Sequence, residues 1–419
     1  MTYFSALGSP LSGSGVPAPG APGITAWRAL LALAVVFVLL ATTGWTAVRK
    51  HQADAGPRAT ALHAWEKGSF AGRPLPDPDA SPSRISRYFG QLSAAQQRTL
   101  ATRYPLVVGN LGGAPLQLRY RANHTALLQA RDIERKRMRD QRLTDEGRDQ
   151  AGQRMHRFES MLRPGRQILA FDPTGRGRAA EVFGDLRKAR RVSVVVPGVD
   201  TDLLSFEKSA RQYSAPVGMA ESLQRQQHAA RPGTRTATIA WADYTAPEGL
   251  GVDAASGAAA QDGAVRLNKL LRALPATSAG ASPGIALICH SYGSVVCGVA
   301  AHQVPDSVTD IAVAGSPGMR VDNAAQLGTR ARVWAMRDRD DWIADVPHMD
   351  VGGLGHGADP VSDAFGARRL SARGAVGHTG YFVPHTGSLA NFAAIGTGSY
   401  RDLRCHSSDP KCSFVPSVS

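Results

Sequence analysis

Lysine is scarce in this chain. It stands at seven positions, so nearly all of the 48 Lys and Arg residues are arginine. The 419 residues carry a formal net charge of +14, which by itself favours nucleic acid or an anionic membrane surface as a partner. However, no Lys/Arg cluster is interleaved with aromatic residues, which make up only 6% of the chain. We therefore interpret the charge as a compositional bias toward arginine and expect no nucleic-acid partner.

Cysteine is also rare, and its spacing does not indicate a metal site. The four cysteines fall in two pairs, Cys289 with Cys297 and Cys405 with Cys412, and neither pair forms a CxxC motif or has a histidine at metal-ligand spacing. The second pair lies in a polar tail and could close a small loop, which is useful only in an oxidising compartment. We predict a disulfide between Cys405 and Cys412; whether Cys289 and Cys297 are bonded or free stays open.

Cofactor-binding motifs are absent as well. The chain has no phosphate-binding Walker loop, no GxGxxG after a predicted strand and no His/Glu metal pattern. These absences exclude the enzyme classes that depend on such motifs. We expect a function that needs no cofactor.

Only one hydrophobic run is of membrane length. Residues 29–48 form twenty positions without a charge, which as a helix span roughly the 30 Å hydrocarbon core of a bilayer. A secretory signal peptide has a shorter apolar region, and Trp45 with Ala47 is a poor cleavage pair. The run therefore predicts an uncleaved, single-pass transmembrane helix over residues 27–48 and a place in the cell membrane.

Two features of the sequence predict opposite orientations for this helix. Arg28 precedes it, whereas Arg49 and Lys50 follow it, and the positive-inside bias would keep the C-terminal side cytoplasmic. A disulfide between Cys405 and Cys412 would require the opposite arrangement. We favour an extracytoplasmic C-terminal part and leave the topology open.

Changes in composition divide the rest of the chain. Residues 1–26 are uncharged and rich in Gly, Pro, Ser and Ala, a composition typical of disorder. Residues 49–84 are predicted as a linker, 85–166 as a helical region that could cap an active site, and 401–419 as a C-terminal tail. The remaining residues, 167–400, are predicted as the main domain.

In that main domain, short apolar runs alternate with stretches of helical spacing. The runs cover residues 167–171, 179–183, 192–196, 237–241, 285–289, 311–314 and 331–335. Continuous apolar strands imply burial on both faces, and strand–helix alternation is typical of a doubly wound, mostly parallel sheet. The helical pattern over residues 258–274 is a plausible crossover between two of these strands.

Ser291 is the predicted nucleophile. An apolar strand ends at Cys289, the sequence His290-Ser291-Tyr292-Gly293 follows, and an Ala/Val-rich run compatible with a helix begins directly. A serine on such a strand-to-helix turn is the nucleophile elbow of α/β-hydrolases. The short S-x-G pattern also occurs elsewhere in the chain, so the prediction depends on this context. Cys289 stands where the elbow usually has glycine.

The other members of a catalytic triad should follow in the order acid, then histidine. Asp338, Asp340 and Asp341 come just after the run 331–335, and we choose Asp341 as the acid, with Asp340 second. His378 is the predicted base because a helix-like run that would close the fold follows it. The alternative bases are His356 and His385.

Two backbone N–H groups are the predicted oxyanion donors. One belongs to Tyr292, the residue after the nucleophile. The other should come from the loop after the strand 192–196, where Pro197-Gly198-Val199 lets the chain turn close to substrate, and we nominate Val199.

These residues resemble the actinobacterial α/β-hydrolase family of the DUF1023 type. The resemblance extends over about residues 85–400 and includes residues 104–115, Arg119, Asn123, residues 290–294, 355–360, 365–366, Gly377, His378 and Tyr381. It implies an α/β-hydrolase fold with Ser291, Asp341 and His378 as triad, and it implies no defined substrate.

We interpret the chain as a membrane-tethered serine hydrolase, most simply an esterase or lipase-like enzyme that acts on a small-molecule or lipid ester through an acyl-enzyme. A peptidase or amidase would use the same triad. A non-catalytic binding protein on a hydrolase scaffold is a further alternative, which Cys289 and the choice among three aspartates would favour.

Overall fold

The computed structural model describes residues 56–277, 280, 282–351, 353–407, 409 and 412. The predicted disordered N-terminus and the predicted transmembrane helix over residues 27–48 lie outside these residues. Within the part that is described, no helix is long and apolar enough to cross a membrane. The described residues from Gly56 onward form one compact unit.

The centre of this unit is an eight-stranded sheet. Its strands are β3 (Gln167–Asp172), β4 (Arg178–Gly184), β5 (Arg191–Val196), β6 (Thr236–Ala242), β7 (Gly284–His290), β8 (Val308–Ala314), β9 (Arg332–Met336) and β12 (Arg368–Arg369). They lie in the order β12-β9-β8-β7-β5-β6-β4-β3, parallel from β12 to β6, with β4 antiparallel to both β6 and β3. The predicted mostly parallel sheet is confirmed, and the seven apolar runs correspond to β3 through β9.

Two short hairpins accompany the sheet. In the first, β1 (Ser69–Phe70) pairs with β2 (Arg73–Pro74), and in the second, β10 (Asp350–Val351) pairs with β11 (Leu354–Gly355). Single-turn 3₁₀ helices lie at Gln212–Ser214, Pro275–Thr277, Ala301–Gln303, Ala324–Leu327, Trp342–Asp345, Gly380–Phe382 and Tyr400–Asp402.

The α-helices are α1 (Pro57–Glu66), α2 (Pro82–Gly90), α3 (Ala94–Arg103), α4 (Pro105–Val108), α5 (Leu116–Arg137), α6 (Asp145–Met161), α7 (Pro216–Ala230), α8 (Val252–Ala255), α9 (Ala258–Ala273), α10 (Gly293–Ala300) and α11 (Gly387–Thr397). Buried side chains of α9 and α10 pack on one face of the sheet with Val194, and those of α7 and α11 pack on the other face with Val195. Because successive strand residues point to opposite faces, β5 contributes to two cores, which explains why four of its six residues are valine. The predicted crossover helix is α9.

The segment expected to be a linker is folded where it is described. Helix α1 begins with Pro57 in its first turn, a position where proline needs no hydrogen-bond donor, and Trp65 of this helix is fully buried. The Trp65 indole donates to the carbonyl of Pro76 at 2.7 Å, and its ring packs edge-on against Tyr104. Proline-rich composition indicated a linker, but Pro57 and Pro82 lie in the first turns of helices and Pro74 lies in a strand.

The helical region of residues 85–166 packs against the β3 edge of the sheet. The side chain of Asn110 accepts from the Phe171 N–H at 3.0 Å and donates to the Phe171 carbonyl at 2.8 Å, as a neighbouring strand would. Asn123 donates to Ile168 and Arg119 to Leu169. An uncovered strand edge is prone to aggregation, and these side chains occupy it. The role of this region as a cap stays a prediction.

A buried carboxylate stabilises the opposite half of the sheet. Asp310 of β8 is fully buried, pairs with Arg332 at 2.9 Å and lies 3.5 Å from Arg191. It also accepts hydrogen bonds from the Trp334 indole at 3.0 Å and from the Tyr400 hydroxyl at 2.7 Å. One carboxylate thus joins three strands and the segment that follows α11.

We expect Asp310→Ala to lower the free energy of unfolding by about 3 kcal/mol, because two arginines and three neutral donors, on Trp334, Tyr400 and Thr309, lose a buried acceptor. Urea unfolding of the full-length chain, followed by tryptophan fluorescence, measures this change. The control is Asp306→Ala, since Asp306 and its partner Arg330 are both exposed and should change stability by less than about 0.5 kcal/mol. Equal losses in the two variants would contradict the assigned role of Asp310.

Candidate active site

Ser291 lies on the turn between β7 and α10. Its φ is +54°, in the left-handed region that non-glycine residues rarely adopt, and its N–H donates to the Ala314 carbonyl of the neighbouring strand β8 at 3.1 Å. Strand β7 ends at His290 and α10 begins at Gly293, so only two residues form the turn. This is the strand-to-helix geometry that the sequence predicted.

His378 lies within hydrogen-bond distance of the serine. Its Nε2 is 2.8 Å from the Ser291 Oγ, and its Nδ1 is 2.8 Å from the Asp341 Oδ1. The three residues come from three separate loops, after β7, after β9 and before α11. The structure therefore brings together the three residues proposed as a triad.

Of the three aspartates after β9, Asp341 is the one in contact with the histidine. Asp341 is almost fully buried and accepts two further hydrogen bonds, from the Tyr381 hydroxyl at 2.6 Å and from the Ile343 N–H at 3.0 Å. Burial raises the pKa of this carboxyl, but the hydrogen bonds from His378, Tyr381 and Ile343 outweigh that effect and leave the pKa below its usual value. Asp341 is thus held as a carboxylate.

The other two aspartates have different positions. Asp340, the second choice, is 67% exposed and lies next to Arg339. Asp338 accepts the Gly377 N–H at 2.9 Å, so it fixes the residue that precedes His378. Sequence position alone could not separate the three, because they lie within four residues of each other.

The alternative bases lie elsewhere. His356 is buried edge-on against the Tyr292 ring at 5.6 Å, and burial lowers its pKa to about 4. His385 is exposed. Neither imidazole is hydrogen-bonded to Ser291, whose histidine partner is His378.

The loop after β5 contacts the nucleophile directly. A Cβ atom on Gly198 would lie 2.9 Å from the Ser291 Oγ and 3.3 Å from the Tyr292 nitrogen, so only glycine fits there. Val199, the nominated second oxyanion donor, is the next residue on this loop. The Tyr244 hydroxyl donates to the Pro197 carbonyl at 2.7 Å and holds the loop in place. Sequence analysis found the loop but missed the contribution of Tyr244.

His290 is a further site residue that sequence analysis missed. Its Nε2 is 2.6 Å from the carbonyl oxygen of His378, and the two imidazole rings are 4.8 Å apart. Burial and the neighbouring His378 lower the pKa of His290 to about 3, so it stays neutral and can donate this hydrogen bond. The residue before the nucleophile therefore positions the loop that carries the proposed base.

Both cysteine pairs form disulfides. Cys289 is bonded to Cys297, which links the end of β7 to the middle of α10 across the Ser291 turn, and both residues are fully buried. Cys405 is bonded to Cys412, the predicted pair. Among the described residues, no three His, Cys, Asp or Glu side chains are grouped so as to hold a metal ion.

Acidification should destabilise the protein through His290. In the unfolded chain this histidine takes up a proton below about pH 6.5, whereas in the folded protein it stays neutral until about pH 3. Its stabilising contribution is therefore present above pH 6.5 and is lost as the pH falls. Between pH 7 and pH 5 we expect a loss of about 2 kcal/mol from this group. Thermal unfolding of the full-length chain at several pH values between 7 and 5 measures the total loss of stability, of which His290 contributes this part.

The His290→Gln variant should show a flatter pH dependence, even if its stability at pH 7 is lower. The control His63→Gln, at an exposed position, should keep the wild-type dependence. If His290→Gln and the wild type lose the same stability between pH 7 and pH 5, His290 is not held neutral.

Comparison with known proteins supports the fold. Residues 172–351 match the family described as "Alpha/beta hydrolase". The uncharacterized protein Rv2079 of Mycobacterium tuberculosis is 25% identical over 382 residues, covering 77% of this chain and 57% of the relative. The uncharacterized protein Mb0988c of Mycobacterium bovis is 33% identical over 169 residues, covering 39% of this chain and 62% of the relative. The chain thus spans less than two thirds of the length of these relatives.

Solved structures give weaker likenesses. The dienelactone hydrolase from Anabaena variabilis has a TM-score of 0.33 and 14% identity, covering 54% of this chain and 93% of its own. The 2,6-dihydroxy-pseudo-oxynicotine hydrolase has a TM-score of 0.35 and 12% identity, covering 81% of this chain and 96% of its own. The family match over residues 172–351 and the eight-stranded, mostly parallel sheet confirm the predicted fold, and the mycobacterial relatives are consistent with an actinobacterial family: the chain has an α/β-hydrolase fold.

Proposed function

We propose that this protein is a serine hydrolase that cleaves esters of apolar acyl groups through an acyl-enzyme at Ser291. The observation that supports this most directly is the hydrogen-bonded series from Ser291 through His378 to Asp341, with both distances at 2.8 Å. A nucleophile, a base in contact with it and a buried carboxylate that orients the base are the parts that acyl transfer needs.

In the first half of the proposed reaction, the His378 Nε2 accepts the Ser291 hydroxyl proton while the Oγ attacks the ester carbonyl. The negative charge that forms on the carbonyl oxygen is stabilised by the N–H groups of Tyr292 and Val199. His378 then gives its proton to the leaving alcohol, and the ester bond breaks to leave an acyl-enzyme.

In the second half, water replaces the alcohol. His378 takes a proton from the water, the resulting hydroxide attacks the acyl carbonyl, and the proton returns to the Ser291 Oγ as the acid leaves. Asp341 remains a carboxylate throughout and stabilises the imidazolium. Because burial keeps His290 neutral, no second positive charge opposes this imidazolium.

An apolar rim supports the choice of an apolar acyl group. We use this name for Trp342, Leu354 and Val376, which are large apolar side chains left exposed. The ring centroids of Trp342 and His378 are 4.5 Å apart. Val376 lies two residues before His378 in the chain. Leu354 bridges to Ser256, whose carbonyl accepts from the Tyr292 hydroxyl. Apolar side chains grouped around a polar site are typical of binding surfaces.

We also propose that the protein is tethered to the cell membrane by a single helix over residues 27–48, with the hydrolase domain on the extracytoplasmic side. The buried Cys289–Cys297 disulfide and the Cys405–Cys412 disulfide both support an oxidising compartment. A membrane tether would place the apolar rim within reach of lipid esters.

The first test is labelling of the full-length, detergent-purified chain by a fluorophosphonate probe. We expect the wild type to be labelled, and Ser291→Ala and His378→Ala to lose labelling, because the probe reacts only with an activated serine. Asp341→Asn should react at least about a hundredfold more slowly. Gel fluorescence over a time course measures these rates.

Asp340→Asn is the matched control, since Asp340 is an exposed neighbour of the same type and should keep the wild-type rate. Circular dichroism establishes that each variant is folded. If the folded wild type is not labelled, the protein is a binding protein on a hydrolase scaffold rather than a hydrolase.

A second test concerns the substrate. We expect turnover of p-nitrophenyl esters to exceed that of peptide p-nitroanilides, and kcat/KM to rise from the acetate to the octanoate ester. Val376→Ser should lower kcat/KM for the octanoate ester about fivefold and leave the acetate ester unchanged, because it removes apolar contact area of roughly 1 kcal/mol.

The control for this test is Ile133→Ser, an exposed aliphatic residue on α5. It should change neither ester. Faster turnover of the anilides would instead indicate a peptidase or amidase that uses the same triad.

A further inference from the structure

A cavity of about 70 Å³ lies between the N-terminal helices and the sheet, and Ser291, His378 and Asp341 do not line it. The charged residues that line it are Arg58 of α1, Arg119 of α5, Asp243, and Arg266 and Lys269 of α9; the other lining residues are uncharged. Four of these side chains are cationic and one is anionic. The cavity is therefore positively charged.

Arg119 is the most unusual of these cations. It is only 4% exposed, and its hydrogen bonds go to the carbonyls of Gly109 at 3.2 Å and Leu169 at 2.8 Å. No carboxylate of the described residues lies within ion-pair distance of it. Burial lowers the pKa of Arg119 to about 10, so it is still protonated at neutral pH. The carboxylate of Asp243 lines the same cavity and acts on Arg119 only at longer range. A buried charge without a direct ion-pair partner is costly, and this charge faces a cavity.

Arg58 adds a second cation with little compensation. Its Nη1 is buried and has no hydrogen-bond partner, and the nearest carboxylate oxygen, on Asp172, is 3.8 Å away. Asp172 is in closer contact with Arg178. Arg58 and Arg178 therefore share a single carboxylate, that of Asp172.

The two cations on α9 are better compensated. Arg266 is paired with Asp243 at 2.5 Å, and Lys269 with Asp79 at 2.6 Å. The excess positive charge of the cavity thus belongs to Arg119 and Arg58, which come from the two separate helices α5 and α1.

We propose that this cavity binds a small oxyanion, a phosphate or carboxylate group, between Arg119 and Arg58. The space is larger than the roughly 15 Å³ that one water needs, and guanidinium groups bind oxyanions with charge-assisted hydrogen bonds. The anion would supply the counter-charge that Arg119 lacks and the acceptor that the Arg58 Nη1 lacks. It would also join α1 and α5 to the sheet, so binding should stabilise the folded protein.

The test is titration of the full-length chain with inorganic phosphate and, separately, with sodium acetate, by calorimetry and by thermal unfolding. We expect saturable binding of at least one anion and a Tm rise of about 5 °C at a hundredfold excess over Kd. Tighter binding of phosphate assigns the site to phosphate groups, and tighter binding of acetate assigns it to carboxylates. Sodium chloride at the same ionic strength should not reproduce the rise.

Arg58→Gln is the informative variant, because the Arg58 Nη1 makes no hydrogen bond that folding would lose. It should weaken binding about tenfold. Arg98→Gln, at an exposed position on α3, is the control and should bind like the wild type. Arg119→Gln should abolish binding but also loses two contacts to carbonyls, so it is secondary.

Two results would overturn the proposal. One is the absence of saturable binding of both anions to the wild type, which means that the cavity holds water only. The other is unchanged binding in Arg58→Gln, which places the anion elsewhere. Fluorophosphonate labelling of Ser291 is independent of both results, so the two proposals can fail separately.

Discussion

The left-handed backbone of Ser291 is the constraint on which the rest of the site depends. A non-glycine residue with a backbone φ of +54° is strained, and the turn keeps this conformation because its surroundings are packed closely around it. On one side, Gly198 allows the loop after β5 to touch the Oγ. On the strand side, the Ser291 N–H is hydrogen-bonded to Ala314 of β8. The hydrogen bond and the close packing at the strand ends therefore hold the Ser291 turn in its strained conformation. The loops that carry Asp341 and His378 are positioned around this turn.

Those loops are held by groups that take no part in the proposed chemistry. Tyr381 and Asp338 connect the acid loop to the histidine loop, through the Asp341 Oδ2 and the Gly377 N–H. Gly315, the residue after β8, lies close to both the acid and the histidine. A Cβ atom at this position would lie 2.7 Å from the Asp341 Oδ2 and 3.1 Å from the His378 Nδ1. His290 then attaches the histidine loop to the nucleophile strand. The proposed triad is thus preorganised by contacts among three strand ends.

Local patterns in the sequence were sufficient for seven of the eight strands of the sheet, all but β12, and for the residues that the structure brings together at the site. Seven apolar runs predicted seven strands, and the turn around Ser291, with the order of Asp341 and His378, predicted which loops meet. Contacts between residues distant in sequence were not predictable, because no local pattern encodes them. The hydrogen bond of His290 to His378 spans 88 residues, and that of Asn110 to β3 spans 61. The sequence analysis preferred Asp341 to Asp340, but the physical difference between these neighbours, their burial, is visible only in the folded chain.

The use of arginine also became clear only in the folded chain. The sequence indicated a compositional bias, yet Arg119 and Arg154 are buried at positions where a lysine could not make the same hydrogen bonds. Arg154 donates from three nitrogens, to Glu134 and to the carbonyls of Pro173 and Gly175, and so ties α5 and α6 to the turn after β3. A guanidinium presents five donors in a fixed plane and is less strongly hydrated than an ammonium, so it can be buried against carbonyls at lower cost. Among the described residues, however, six acidic side chains are buried against only these two arginines, so burial does not reduce the positive charge of the surface below the net charge of +14.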